Sequence, residues 1–135
     1  MKPLELIINT SPYSVSETVA RLEKAISAKG IVIFSTIDHS GEARKANMSL
    51  GDEKVIIFGD PKVGTFLMQE NPLIGLELPL RILVWQAEKD LTHIAYIDPL
   101  SLGESYGISK KLEILRKMKD GLSLLIAEAI RETTH

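Results

Sequence analysis

The chain has 135 residues, 44% hydrophobic and 25% charged, which fits one globular domain over 1–135 with a real core rather than a disordered segment. A formal net charge of −2 lacks the basic excess of a nucleic-acid binder, so no nucleic-acid partner is expected. The chain has no cysteine, which excludes disulfides, thiolate metal sites, iron–sulfur clusters and cysteine nucleophiles.

The start, Met1-Lys2-Pro3-Leu4-Glu5-Leu6-Ile7-Ile8, lacks the apolar run and small-residue cleavage site of a signal peptide. The longest apolar stretches are strand-sized, so the expected location is cytoplasmic, without a membrane partner. Leu4 to Ile8 reads as a strand ending at Asn9-Thr10-Ser11-Pro12. Ser14-Val15-Ser16-Glu17 is a capping box, in which Glu17 should reach back to the cap amide. Val15, Val19, Leu22 and Ile26 then recur at helical spacing, and Gly30 supplies a left-handed stop, which predicts a helix over 15–29.

Ile31 to Asp38 is strongly β-prone and apolar on both parities through Phe34, the pattern of a strand inside a sheet covered on both sides. Residues 39–53 are polar and long for a plain loop, so a short helix is expected around Gly41 to Ala46, ended by a left-handed Asn47. Lys54 to Phe58 is a second buried-type strand. Gly59-Asp60-Pro61 starts a helix over about 61–70, and Asn71-Pro72 stops it. Leu73 to Pro79 is an apolar connector. Leu80–Ala87 and Leu91–Asp98 form a hairpin around Glu88-Lys89-Asp90. A turn region with Gly103 and Gly107 leads to Ser109, a candidate cap for a last helix whose apolar face includes Leu112, Leu115, Leu122 and Ile126, with Gly121 inside it.

The order predicts an α+β fold, with a mostly antiparallel five-stranded sheet and two long helices on one face. Several strands are apolar on both parities, yet the helices cover one side. A homodimer is expected on that ground.

Chemistry concentrates at five polar residues. Asp38 and His39 stand at the end of a strand, where a rigid scaffold can aim them, and His39 can act as base, acid or ligand near neutral pH. If a helix follows, His39 and Glu42 have metal-compatible spacing, but Asp38 can equally cap that helix, and one imidazole with acids is a poor metal set, so no metal is assigned. Tyr96 and Asp98 share a strand face and suit a polar ligand, or else a buried ring and a turn cap. Glu77 is a lone carboxylate in an apolar stretch, a general acid if buried and a surface group if not. Gly59 to Thr65 lacks the Gly-Lys-Ser/Thr of a phosphate loop, no G-x-S-x-G occurs, and no cofactor is expected.

Taken jointly, Thr18 to Leu22 with Gly30, Ile37-Asp38-His39, Phe58 to Thr65, Leu67-Met68, Leu76 to Leu80, Val84-Trp85 and Tyr96 with Asp98-Pro99 resemble the domain-of-unknown-function family 302 over roughly 6–108. The resemblance implies a β-α-β(4)-α fold of TATA-binding-protein-like architecture and no established reaction. Its recurring polar positions match Asp38, His39, Glu77, Tyr96 and Asp98. The functional expectation is a non-catalytic module for a small polar ligand or metal ion. The alternative is a small hydrolase- or lyase-type enzyme with His39 as general base, oriented by Asp38 or Asp98.

Overall fold

A computed structural model describes residues 2–132. Its elements are β1 (Leu6–Ser11), α1 (Val15–Ala28), β2 (Val32–Asp38), α2 (His39–Lys45), β3 (Glu53–Gly59) and α3 (Pro61–Glu70), followed by a 3-10 helix (Pro72–Leu76), β4 (Leu80–Glu88), β5 (Leu91–Ile97), α4 (Pro99–Ser105) and α5 (Leu112–Ile130). The local punctuation explains most of these boundaries. Ser14 Oγ accepts the Glu17 amide at 3.1 Å and so caps α1. Glu17 does not close the reciprocal half of the box, because its carboxylate is drawn one turn along to Arg21 Nε at 3.0 Å. Left-handed residues follow α1 and α2, at Gly30 (φ 72°) and Asn47 (φ 61°).

The five strands form one antiparallel sheet in the order β1-β5-β4-β3-β2. Helices α1 and α5 lie together on one face. There Val19, Leu22 and Ile26 of α1 meet Ile56, Ile82 and Ile94 of the sheet and Leu125 and Ile126 of α5, all essentially buried. Each such side chain contributes roughly 1.5–3 kcal/mol of transfer free energy. The expected layering of five strands under two long helices is therefore the observed one.

The placement of β2 differs from expectation. It is an edge strand, not an interior one. Its inner row does pack under α1, and Thr36 Oγ1 donates to Glu23 Oε2 at 2.9 Å. The register with β3 shifts between Ile33 and Ser35, so Phe34 is an extra, unpaired residue left half exposed. A bulge of this kind twists an edge out of reach of edge-to-edge pairing. The second apolar parity of this strand thus serves an edge and a cleft, not a covering layer.

The sheet's other face carries Leu6 and Ile8 of β1, Ala95 and Ile97 of β5, Leu83 and Trp85 of β4, Val55 and Ile57 of β3, and Ile37 of β2, which the pairing places on one side. Leu6 is 66% exposed and Ile8 55%.

A second cluster, Leu67, Ile74, Leu102, Ile108 and Leu115, closes one end of the sheet. The expected turn region after β5 is helical: α4 starts from Asp98, whose side chain accepts the Leu100 amide at 3.0 Å. Gly103 sits inside α4 because Leu115 of α5 passes there; a Cβ would lie 2.5 Å from Leu115 Cδ1. Ser109 does not cap α5. Lys111 stands at the N-cap and no side chain caps α5 there; the Glu70 carboxylate instead holds the turn just before it, accepting the amides of Ser109, Lys110 and Lys111 at 2.7, 3.2 and 3.0 Å.

Candidate functional site

The polar residues singled out in the sequence fall into three separate places. Asp38 ends β2 and caps α2: Oδ1 accepts from Ser40 Oγ at 2.6 Å and from the Gly41 amide at 3.0 Å, and Oδ2 lies 3.8 Å from Arg44. The Ser40 hydroxyl, then the Gly41 amide, hold its carboxyl below the usual range. A Cβ at Gly41 would stand 2.7 Å from Asp38 Oδ2, so a side chain there would push the capping carboxylate aside. His39 is exposed and has no hydrogen-bond or ion-pair partner among the described residues.

Tyr96 is buried in the main core. Asp98 is 7% exposed; besides capping α4 it pairs through Oδ2 with Lys119 Nζ of α5 at 3.0 Å. That hydrogen bond, and then the charge of Asp98, raise the Lys119 pKa above its ordinary value. Asp38 stands in register with Lys54, Val84 and Ile94, so Asp98 lies three strands across and four residues along from it. At about 4.8 Å per strand and 3.3 Å per residue the separation is roughly 20 Å. His39 therefore cannot be oriented by Asp98, and Asp38 is already committed to α2.

Glu77 follows the 3-10 helix. Its carboxylate accepts from the Tyr106 hydroxyl at 2.9 Å and faces Arg81 at 3.5 Å. The hydrogen bond to Glu77 pushes the Tyr106 pKa up. Close by in the chain, Asn71 Nδ2 donates to the Tyr106 carbonyl at 2.7 Å. These contacts, with those of Glu70, tie the segment between α3 and β4 to the ends of α4 and α5. Among the described residues no three His, Asp or Glu side chains come together as a metal set.

Asp38 borders a shallow polar pocket of about 500 Å³ with Gly41, Glu42, Arg44 and Lys45 of α2, and a second, mostly apolar concavity lies elsewhere. A cleft of about 560 Å³ opens between α3, α5 and the sheet end where β2 starts and β3 finishes. Its floor is Phe58 and Leu80. One wall is a ridge of α5 at helical spacing, Ile114, Lys117, Met118, Gly121, Leu122 and Leu125; the other is Val63, Gly64 and Met68 of α3 with Leu78 and Pro79 of the connector. Two glycines facing in keep it open: a Cβ at Gly121 would meet nothing within 4 Å, and one at Gly64 only ordinary contacts. Of the twenty lining residues four have polar side chains: Lys29, Asp60, Thr65 and Lys117. The volume is that of a small-molecule site, and so is the largely apolar lining.

Sequence reasoning missed this cleft, since its residues come from four separate stretches of the chain, 29–34, 58–68, 78–80 and 114–125, and each reads as core or surface by itself. The one signal on offer was the pair of glycines within α3 and α5, positions where a helix normally avoids them.

Comparison with known proteins agrees with the sheet and its helices. The family profile described as "Domain of unknown function DUF302" matches residues 7–125. This chain belongs to that family. A crystal structure of an uncharacterized conserved protein DUF302 from Bacillus stearothermophilus superposes with a TM-score of 0.81, at 19% identity, covering 93% of this chain and 98% of that one. Among curated proteins the chain is 35% identical over 111 residues to fluoride-specific ion channel FluC 1 of Brucella suis biovar 1 (strain 1330), covering 81% of this chain and 44% of that protein. It is 35% identical over the same length to FluC 2 of Brucella melitensis biotype 1 (strain ATCC 23456 / CCUG 17765 / NCTC 10094 / 16M), covering 41% of it. The chain thus spans less than half the length of these curated relatives. Among the described residues no helix is long and apolar enough to cross a membrane.

Proposed function

We propose that this DUF302 chain is a non-catalytic module that binds a small molecule in the apolar cleft, and that it works as a homodimer. The cleft carries the reading: it has the size of a ligand site, two inward-facing glycines keep it open, and the Asp60 and Thr65 side chains in its lining are engaged by the backbone of α3, through the Lys62 amide and the Pro61 carbonyl. Three of the five polar positions, Asp38, Glu77 and Asp98, act in this reading as caps and ties that fix the surrounding elements, and Tyr96 is core. The channel activity in the relatives' names is not carried over, since the chain matches under half of each of them. A binding module is a unit that can stand beside an unrelated activity in a longer chain.

The test is a thermal-shift panel of apolar and polar small molecules on wild type and on Gly121→Leu, which fills the cleft. Apolar compounds should raise the melting temperature of the wild type and not of the variant. Equal shifts in both would place binding elsewhere and end the proposal.

The dimer rests on the sheet face opposite α1 and α5. Five strands at about 4.8 Å spacing and six residues at about 3.3 Å give a plan area of roughly 500 Å². Side-chain relief brings the accessible area towards the ~800 Å² per partner of a stable interface. A second copy is the partner because the face is apolar at its centre, its charged residues within the paired strands being Arg81, Glu53 and Glu88. Sedimentation at micromolar concentration should show a dimer that Ile8→Glu dissociates; a monomeric wild type refutes this part and leaves the cleft untouched.

A further inference from the structure

The mouth of the cleft has a charge pattern that its floor lacks. Lys29, at the C-terminal cap of α1, and Lys117, on α5, both line the cleft and both are exposed. Against them stands one carboxylate, Asp60, whose Oδ1 accepts the Lys62 amide at 3.0 Å as the cap of α3. Neither lysine forms an ion pair among the described residues. The lining carboxylate is thus engaged by its own backbone, while both ammonium groups are open to an incoming charge.

Resting on the reading of the cleft as a ligand site, we infer that its ligand is a single-chain anionic amphiphile, an alkyl carboxylate in chemistry. The apolar chain occupies the space between Phe58, Leu80, Met118 and Leu122, and the carboxylate stays at the mouth that bears Lys29 and Lys117. The orientation follows from solvation: a buried anion without hydrogen-bond donors is costly, and the floor at Phe58 and Leu80 with the facing Met118, Leu122, Val63 and Met68 offers only apolar side chains. The lysine stems extend the apolar wall while their ammonium groups remain in water. Met68 and Met118, unbranched and adaptable, suit a flexible chain better than a rigid ring system. A cationic amphiphile would meet two like charges at the mouth, and a compact polar ligand would find no convergent donors inside.

The experiment is calorimetric titration of the full chain with straight-chain carboxylates of about six to about twelve carbons, the range suited to a pocket of this class. The alcohols and trimethylammonium compounds of matching length are run beside them, all as monomers. Each added methylene should tighten binding about fourfold until the chamber is full, from about 0.8 kcal/mol per buried methylene. Carboxylates should bind about three- to tenfold tighter than the alcohols, the scale of two solvent-exposed ion pairs. Lys29→Gln with Lys117→Gln should erase that preference and keep the chain-length increment. Gly121→Leu should abolish binding of all three series while the protein melts no lower than wild type. If the trimethylammonium series binds as tightly as the carboxylates, the anionic assignment is overturned and the cleft survives as a site. If no series shows a chain-length increment, or if Gly121→Leu binds like wild type, both readings fail.

Discussion

Gly103 and Gly121 both interrupt helices, and alanine at the two positions should shift stability in opposite directions. In each helix the exchange removes the flexibility that makes glycine about 1 kcal/mol worse than alanine. At Gly121 nothing opposes that gain, since the new methyl enters the cleft and meets no atom within 4 Å. At Gly103 the methyl would stand 2.5 Å from Cδ1 of Leu115, which is fully buried, and 3.8 Å from Ile108 Cβ. Leu115 must leave its packed position, and overpacking of this kind costs typically 1–3 kcal/mol. The expected result is about 1 kcal/mol of stabilisation for Gly121→Ala and about 1 kcal/mol of destabilisation for Gly103→Ala. The assay is urea unfolding followed by far-ultraviolet circular dichroism at one fixed protein concentration, because dimerisation would shift the midpoint by mass action. With a slope of about 2 kcal/mol per molar, the two midpoints should separate by about 1 M. Equal shifts of the same sign would refute the claim that open space at one glycine and crowding at the other decide these positions.

Two further predictions concern the polar ties. Glu70 is held below its ordinary pKa, first by the Ser109 amide, so its contribution is complete above its unfolded-state value and lost as pH falls through the folded-state value. Glu70→Gln should therefore melt below wild type at neutral pH, with the gap closing on acidification; a gap independent of pH would remove the carboxylate's charge from the account. Asp98→Ala removes the cap of α4 and should cost about 1 kcal/mol from that loss alone. Asp98→Asn can keep the cap and lose the charge facing Lys119. The Lys119 pKa is raised, so the pair stabilises fully below the lysine's unfolded-state value and the benefit disappears as pH rises through the folded-state value. Wild type and Asp98→Asn should accordingly converge in melting temperature at strongly alkaline pH.

The fold was legible wherever local chemistry and the global structure agree. Ser14, Gly30, Asn47, Asp60 with Pro61, and the Glu88–Asp90 turn each mark a boundary that the structure keeps. Two places failed for physical reasons. Ile31 to Phe34 shows the composition of an interior strand, yet periodicity cannot tell a covered second face from an edge that borders a cleft. The α4 segment, Pro99–Ser105, opens on Asp98-Pro99, the same cap and first-position proline as Asp60-Pro61, but those residues also read as a strand break, and Gly103 inside the segment weakens its helical pattern. Its burial against α5 is not visible in a short window. The turn before α5 is likewise invisible locally, since the amides of Ser109, Lys110 and Lys111 are taken by Glu70, about forty residues away in the chain.

The site was harder to see because polarity and function separate in this fold. A short polar residue next to a helix or strand end attracts attention as potential chemistry, but the same place leaves backbone amides without partners. Asp38 and Asp98 are both claimed by that need, and Glu77 by the Tyr106 hydroxyl. Only His39 remains uncommitted, and it stands alone. A binding cleft between secondary-structure layers places the opposite demand on sequence: apolar residues from distant segments, and small residues where a side chain would close the space. Gly121 meets that demand at the expense of helix stability on a ridge of otherwise ordinary core residues. A residue that weakens its own helix and touches nothing is explained by what it leaves room for. That makes Gly121, more than any acid or imidazole in the chain, the position whose substitution separates a binding module from a packing defect.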